Sequence, residues 1–234
     1  MTTAPDRATI RNRALDVIAW ASIWGIFEAT VGYFVHLIPI NIGWLIWYPV
    51  ACFFMANVYR KTGSATSIIA AGALCAAIKM LNLLPPGRID RVINPAVSIL
   101  FEALAMAAVV AVLRRHAVNR GPLAKAVAVL AMGTCWRLAY ILYLLFLVPD
   151  WMREISVISD VNLLVPFLVT QNLATCLILF IGYQYQRMIF RPFAAAERGV
   201  AAVLSRVPGR AAPIVRVSAV AVMLCLFAVL EYAL

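Results

Sequence analysis

The sequence predicts an all-α integral membrane protein, a polytopic bundle of six to seven transmembrane helices with a cytoplasmic N-terminus. Three observations predict it. Of 234 residues, 65% are hydrophobic and 13% are charged, whereas a soluble domain is about half apolar and about a quarter charged. The apolar residues form runs that match the roughly 20 residues needed to cross a bilayer. The basic residues lie mostly in alternate loops.

Seven apolar runs are the predicted spans. They lie at 15–38, 42–59, 65–84, 93–113, 122–148, 162–184 and 214–234. The first run is too long for a signal-peptide core and lacks a small-residue cleavage site, so it is predicted to be a span. The runs divide the chain into a cytoplasmic tail, a six-helix bundle, a basic amphipathic cytoplasmic segment and a seventh span. These four parts cover 1–14, 15–185, 186–213 and 214–234.

The distribution of basic residues predicts the orientation. Fifteen Lys and Arg residues fall in the N-terminal tail and the even-numbered loops, against three in the other loops, Arg88, Arg91 and Arg153. Because cytoplasmic loops carry the excess of Lys and Arg, the tail is predicted to be cytoplasmic. The net charge of +10 is then explained by topology and requires no nucleic-acid partner.

The cysteine and histidine residues predict no metal site and no cofactor. The five cysteines lie in separate apolar runs without a C-x-x-C pair, and only two histidines occur, His36 and His116. This spacing argues against a zinc site or a disulfide framework. The sequence also lacks a phosphate-binding P-loop and a nucleophile-elbow motif. An enzyme is therefore the less favoured class.

Several polar side chains fall inside the predicted spans. A charge at mid-bilayer costs at least about 2.5–3.5 kcal/mol, so each needs a partner or a function. At about 1.5 Å per residue, four spans place polar groups close to the midplane, and the third span places two nearer the outer surface. The midplane group contains Glu28, Glu102, Arg137, Gln171 and Asn172, and the outer pair is Lys79 and Asn82.

Two interpretations of these polar residues remain open. In the first, Glu28 or Glu102 forms an ion pair with Arg137 or Lys79 and simply holds helices together. In the second, which we favour, the side chains of five helices enclose a polar cavity that binds a solute. A clamp between two helices would not need polar groups from so many spans. The candidate binding residues are Glu28, His36, Lys79, Asn82, Asn94, Glu102, Arg137, Tyr140, Gln171 and Asn172.

Aromatic residues accompany the buried arginine. Trp136, Tyr140 and Tyr143 follow one another at helical spacing beside Arg137. Because arginine binds carboxylates bidentately, this arrangement suits a flat ligand that is anionic or zwitterionic. Ordinary core packing explains the aromatic strip equally well. Two interpretations are also open for Trp44, Trp47 and Tyr48. They form an interfacial aromatic belt, or they stack on a ligand.

Three segments carry a resemblance to a known family. They are 24–36 (WGIFEATVG…H), 77–82 (AIKMLN) and 93–103 (INPA…EA). These segments resemble the substrate-binding (S) components of energy-coupling factor transporters, over roughly 15–185. The resemblance implies a six-helix protein of the bacterial inner membrane that binds a vitamin or a metal ion from outside. The partners that it implies are a transmembrane coupling subunit and two ATPases. It also implies that the small residues Ala21, Gly25 and Ala29 face the coupling subunit.

Three functions follow as hypotheses. The first is a transport component that captures a small organic solute at the polar cavity, within the lipid bilayer, and is energised by a partner. The second is an intramembrane enzyme that acts on a lipid or isoprenoid with Glu28 or Glu102 as acid/base. The third is a non-catalytic subunit of a larger membrane complex, in which the charges contact a neighbouring chain.

Overall fold

A computed structural model of the chain describes residues 7–36, 43–84, 89–115, 121–207 and 211–233. The described residues are helical and include no strand, which confirms the predicted fold class. The helices are α1 (Arg7–His36), α2 (Gly43–Thr62), α3 (Ala65–Lys79), α4 (Asp90–Arg115), α5 (Pro122–Phe146), α6 (Asp150–Glu154), α7 (Val161–Leu168), α8 (Thr170–Gln184), α9 (Gln186–Ser205) and α10 (Ala212–Ala233). A 3₁₀ turn, Met80–Leu83, continues α3.

Six helical stretches among the described residues are long and apolar enough to cross a membrane. They are Ile10–Val31, Ala65–Leu83, Asp90–Arg115, Pro122–Phe146, Val161–Gln184 and Ala212–Ala233, the fifth combining α7 and α8. Many large apolar side chains on these stretches are exposed, including Leu142, Leu177 and Val222. Exposed apolar faces of this extent belong in lipid. The protein is therefore a multi-pass membrane protein.

Helix α2 is less apolar than these six stretches but lies at the centre of the bundle. It packs against α1, α3, α4 and α8, and its buried side chains include Tyr48, Met55 and Asn57. The helix contains 20 residues, which gives a length of about 30 Å. It ends at Gly63, whose φ of +64° allows its N–H to donate to the Tyr59 carbonyl oxygen at 2.8 Å. A left-handed glycine is the usual way to end a helix at this point.

Contacts at one end of the bundle fix the directions of the helices. Arg114 at the end of α4 donates to the Gly63 carbonyl oxygen before α3. Lys125 near the start of α5 donates to Gln184 at the end of α8. Arg216 near the start of α10 forms an ion pair with Asp16 of α1 at 2.7 Å. We call this the basic end. Within the described residues, α2 returns to the basic end and α3 leaves it, so seven passes connect the two ends.

Close packing of small residues holds the helices that form the site. A Cβ added to Gly72 of α3 would lie 2.5 Å from the Ala103 Cβ of α4. A Cβ added to Gly25 of α1 would lie 1.9 Å from the Phe227 ring of α10. Such close approaches are typical of helix contacts in membranes. The row Ala21, Gly25 and Ala29 is accordingly buried. The chain's own last helix packs on the row that the family resemblance assigns to a coupling subunit.

Helix α9 lies at the basic end and packs on α2. Phe53 of α2 stacks on Phe190 with ring centroids 5.4 Å apart and contacts Phe193 at 4.8 Å. Glu197 forms ion pairs with Arg60 and Lys61 at 2.9 and 2.8 Å. The amphipathic segment predicted from the sequence is therefore a helix that is attached to the bundle by aromatic and ionic contacts.

Candidate functional site

A cavity of about 460 Å³ lies inside the bundle. Side chains from α1, α2, α3, α4, α5, α7 and α8 line it, together with Val157 from the α6–α7 connection. The complete lining is Glu28, Trp44, Trp47, Tyr48, Lys79, Arg91, Asn94, Pro95, Ser98, Ile99, Glu102, Trp136, Arg137, Tyr140, Val157, Phe167 and Gln171. Trp44 and Arg91 come from the first turns of α2 and α4. The cavity therefore runs from the end opposite the basic end into the middle of the bundle.

Seven of the candidate residues from the sequence lie on this cavity. They are Glu28, Lys79, Asn94, Glu102, Arg137, Tyr140 and Gln171. Asn82 and Asn172 do not line the cavity. Asn82 donates a hydrogen bond to Glu231, and Asn172 accepts one from Arg137. The His36 side chain lies outside the described part of the chain. Five helices thus contribute polar side chains to one cavity.

Arg137 is buried at the inner part of the cavity, with 1% of its surface exposed. Its Nη1 donates to the Asn172 Oδ1 at 3.1 Å and to the Gly133 carbonyl oxygen, and its Nη2 donates to the Thr175 Oγ1 at 3.2 Å. All three acceptors are neutral. Among the described residues, no carboxylate lies within ion-pair distance of the Arg137 guanidinium. Hydrogen bonds to neutral groups therefore fix the Arg137 side chain, and its positive charge has no counter-ion among the described residues.

Gly133 makes the Arg137–Asn172 contact possible. A Cβ at Gly133 would lie 2.5 Å from the Asn172 Oδ1 and 2.7 Å from the Cys176 Sγ. Asn172 also donates from Nδ2 to the Thr134 Oγ1 at 3.0 Å. Both the oxygen and the nitrogen of the Asn172 amide thus form hydrogen bonds with α5, and the oxygen accepts from the Arg137 guanidinium. Sequence reasoning placed Asn172 in the cavity, but its role here is to position Arg137.

Three buried donors at the cavity have no hydrogen-bond partner among the described residues. They are the Tyr48 hydroxyl, the Trp136 Nε1 and the Arg137 Nε. Buried polar groups are nearly always paired in native structures, so an unpaired group requires an explanation. The indole and guanidinium groups can only donate. This part of the wall therefore matches a ligand that carries hydrogen-bond acceptors.

Aromatic rings surround the guanidinium. The Arg137 Cζ lies 5.7 Å from the centroid of the Tyr48 ring, 4.5 Å from Trp136 and 5.3 Å from Phe167. Phe167 packs edge-on against Trp136 with centroids 5.6 Å apart, and Tyr140 lies 6.1 Å from Phe167. The aromatic strip predicted on α5 thus faces the cavity at Trp136 and Tyr140. Phe167 was missed because nothing in an apolar run distinguishes one phenylalanine from another.

A second polar cluster occupies the α1 and α3 side of the cavity. Lys79 Nζ lies 3.1 Å from the Glu231 Oε1 and 3.8 Å from the Glu28 Oε2. Asn82 Nδ2 donates to the same Glu231 oxygen at 2.8 Å, and Trp24 Nε1 donates to the Glu28 Oε1 at 3.0 Å. The ion pair between Glu28 and Lys79 that the clamp interpretation expects is present. It coexists with the cavity, so the two interpretations do not exclude each other.

Glu231 is the main residue that sequence reasoning missed. It is 3% exposed and contributes a third buried carboxyl group to the set formed by Glu28, Lys79, Glu102 and Arg137. The signal was available, because an acidic residue inside the last apolar run requires a partner in the membrane just as the others do.

Glu102 lies on α4 with 6% of its surface exposed. Its Oε1 accepts a hydrogen bond from the Ser98 hydroxyl at 3.1 Å. It lines the same cavity as Arg137, yet no cation lies within ion-pair distance of it among the described residues. Inside the bundle, the cavity is therefore lined by a cation, Arg137, and an acid, Glu102, that form no ion pair among the described residues.

Within the described residues, no three His, Cys, Asp or Glu side chains come together in a way that could hold a metal ion. The groups available for chemistry are instead hydrogen-bond donors around Arg137, aromatic faces and the Glu102 carboxyl group. No family model, curated protein or solved structure matches the chain.

Proposed function

We propose that the protein is a transport component of the bacterial inner membrane that binds a small, flat organic solute with a carboxylate group. The observation that carries the proposal is the unpaired Arg137, with its free Nε beside the free donors of Trp136 and Tyr48. Arginine is suited to a planar carboxylate. The carboxylate would replace the missing acceptors and neutralise the buried charge.

The dimensions of the cavity support a solute of this kind. Its volume of about 460 Å³ falls within the range of roughly 300–1,000 Å³ that is usual for small-molecule sites. Trp136, Tyr140 and Phe167 provide apolar faces on which a ring can stack. Offset and edge-on contacts between aromatic groups add about 0.5–1.5 kcal/mol beyond burial. The solute is therefore proposed to be an aromatic or heterocyclic acid, or a vitamin-like zwitterion.

The position of the cavity supports capture from outside. Its mouth, formed by Trp44, Trp47 and Arg91, lies opposite the basic end. Because the excess of Lys and Arg marks the cytoplasmic side, the mouth is proposed to face the exterior. The sequence contains no nucleotide-binding motif, so energy would come from an ion gradient or, as the family resemblance implies, from a coupling subunit and ATPases.

Ligand-induced thermal stabilisation of the purified protein tests the proposal. A ligand at 100 times its Kd stabilises the folded state by about 2.7 kcal/mol. We expect nicotinate, benzoate or zwitterionic tryptophan to raise the Tm, whereas neutral nicotinamide leaves it unchanged. Nicotinate and nicotinamide differ in the carboxylate alone, so the pair isolates recognition by Arg137.

Two variants complete this test. Arg137→Gln is expected to abolish the carboxylate effect, whereas Arg187→Gln, which removes an exposed arginine on α9, is the matched control. If every acid and its neutral amide shift the Tm equally, or if Arg137→Gln binds as well as the wild type, the proposal fails.

Glu102 supports a second candidate, an intramembrane enzyme. A carboxyl group that lines a cavity can act as a general acid or base on a bound molecule. Incubation of the protein with membrane lipids, followed by mass spectrometry, tests this function. Lipid turnover that disappears in Glu102→Gln would favour the enzyme over the transport component.

A further inference from the structure

The charges of the ionisable groups that lie inside the bundle at the cavity do not balance when every one of them is ionised, and Arg91, which also lines the cavity, is exposed. The five groups are the buried Arg137, Glu102 and Glu231 and the partly buried Lys79 and Glu28, which makes two cations and three acids. Lys79 is already shared between Glu28 and Glu231 at 3.8 and 3.1 Å. Glu102 is therefore the acid that forms no ion pair. With all five groups ionised, their net charge is one negative charge.

Among the described residues, no other charge near Glu102 compensates for its ionisation. Ser98 on its own helix is neutral and donates one hydrogen bond. The titratable groups that face Glu102 from the neighbouring helices include one cation, which is not within ion-pair distance. They are Glu28 on α1, Tyr48 and Cys52 on α2, Cys75 on α3 and Arg137 on α5. A carboxyl group in this position can lose its charge by taking up a proton, whereas the guanidinium cannot lose its own.

We propose that Glu102 carries a proton in the empty cavity and that the solute binds to Arg137 as an anion together with this proton. The proposal rests on the proposed function and adds proton coupling to it. With Glu102 protonated, the five buried groups sum to zero. The Ser98 hydrogen bond occupies Oε1, which leaves Oε2 to form the O–H bond.

The same arrangement provides a means of release. The proton enters Glu102 from water at the mouth of the cavity and leaves it to water, so no other reactant is needed. Once Glu102 is ionised, it adds a negative charge to the cavity that holds the solute carboxylate. The ionised Glu102 then repels the solute carboxylate, and the solute anion is expelled. The affinity for an anion should therefore fall about tenfold for each pH unit above the point where Glu102 loses its proton.

Infrared difference spectroscopy of the solute-free protein tests the protonation directly. Changing the pH should reveal the carbonyl stretch of a protonated carboxyl group at neutral pH. The band should be absent in Glu102→Gln and unchanged in Glu197→Gln, which removes a carboxyl group outside the cavity. Ser98→Ala should shift the band, and this identifies Glu102 even if Glu102→Gln fails to fold. A wild type without the band, or a band that persists in Glu102→Gln, overturns the proposal.

Binding of benzoate between pH 6 and pH 9 tests the coupling. Calorimetry should show uptake of about one proton per benzoate above the point where Glu102 ionises, and Glu102→Gln should bind without proton uptake. A flat pH profile in the wild type, or a dependence on sodium at fixed pH, overturns the coupling. If no probe acid binds while the Glu102 band is present, the proposed solute function fails and the proton assignment stands.

Discussion

Lys79 Nζ lies 3.1 Å from the Oε1 of Glu231, a carboxyl group 152 positions later in the chain. Asn82 donates to the same oxygen at 2.8 Å. These contacts join α3 and its 3₁₀ turn to the last helix, and Lys79 itself lines the cavity. The seventh pass of the chain is therefore part of the framework that holds the site.

Glu231→Ala is expected to lower the stability of the protein. Removal of one partner from a buried ion pair typically costs about 3–5 kcal/mol. Because Lys79 keeps Glu28 at 3.8 Å, we expect the lower end of this range. Thermal unfolding in detergent measures the effect, with the neighbouring Tyr232→Ala as the control because Tyr232 is 57% exposed. Equal Tm values for the two variants would show that the Glu231 contacts carry no stability.

The fold class could be predicted because length and apolar content decide it. Six of the seven runs in the sequence correspond to helical stretches that are long and apolar enough to cross a membrane. The run at 42–59 corresponds to α2, whose hydropathy is lowered by Asn57 and Arg60. The packing partners could not be predicted in the same way. The row Ala21, Gly25 and Ala29 marks a close helix contact, but the sequence does not say which helix fills it. In the structure that helix is α10.

The sequence predicts a depth for each polar residue, but it does not predict the direction in which the side chain points. Gln171 and Asn172 are adjacent and lie at almost the same depth, but successive helical residues differ by about 100° around the axis. Gln171 therefore lines the cavity, and Asn172 turns toward Gly133 of α5. Contacts with neighbouring helices set the rotation of each helix about its axis. The sequence of one apolar run does not contain information on these contacts. For the same reason, the sequence did not show that Arg137 lies without a carboxylate.

Gly25→Ala is expected to loosen the contact between α1 and α10. The new methyl group would lie 1.9 Å from the Phe227 ring, which is 1% exposed and has little room to move. Overpacking of this kind costs about 1–3 kcal/mol. Gly199→Ala is the matched control because nothing lies within 4 Å of its added Cβ. In combination with Phe227→Ala, the Gly25→Ala change should cost much less, as a double-mutant cycle of thermal stabilities would show. Additive effects of the two changes would contradict the contact.

Gly133→Ala is expected to weaken solute binding through Asn172. The added methyl group would lie 2.5 Å from the Asn172 Oδ1, so the amide must move away from the Arg137 guanidinium. A lost hydrogen bond to a charged group is worth about 1.5–3 kcal/mol, which corresponds to roughly a tenfold to hundredfold rise in the benzoate Kd. Gly182→Ala serves as the control, because its nearest contact is 3.9 Å away at Ile189. An unchanged Kd for Gly133→Ala would show that Asn172 does not position Arg137.

The attachment of α9 is expected to depend on pH through Glu197. Partial burial acts to raise the pKa of Glu197, but hydrogen bonds and charge from Lys61 and Arg60 outweigh it and hold the pKa below its ordinary value of 4.5. A carboxyl group with a lowered pKa in the folded state stabilises that state above the ordinary value. This stabilisation is lost as the pH falls through the lowered value. Because the ion pairs are partly exposed, each contributes about 0.2–1 kcal/mol.

Hydrogen exchange of the α9 backbone, corrected for the intrinsic effect of pH, measures this attachment in bilayers of zwitterionic lipid. At pH 7, Glu197→Gln should exchange faster than the wild type, and at a pH well below 4 the two proteins should exchange alike. The stacking of Phe53 on Phe190 carries no charge, so the protection that it provides should remain at low pH. Wild-type protection that stays above that of Glu197→Gln at low pH would contradict the role of the ion pairs. Complete loss of protection on acidification would contradict the role of the aromatic contact.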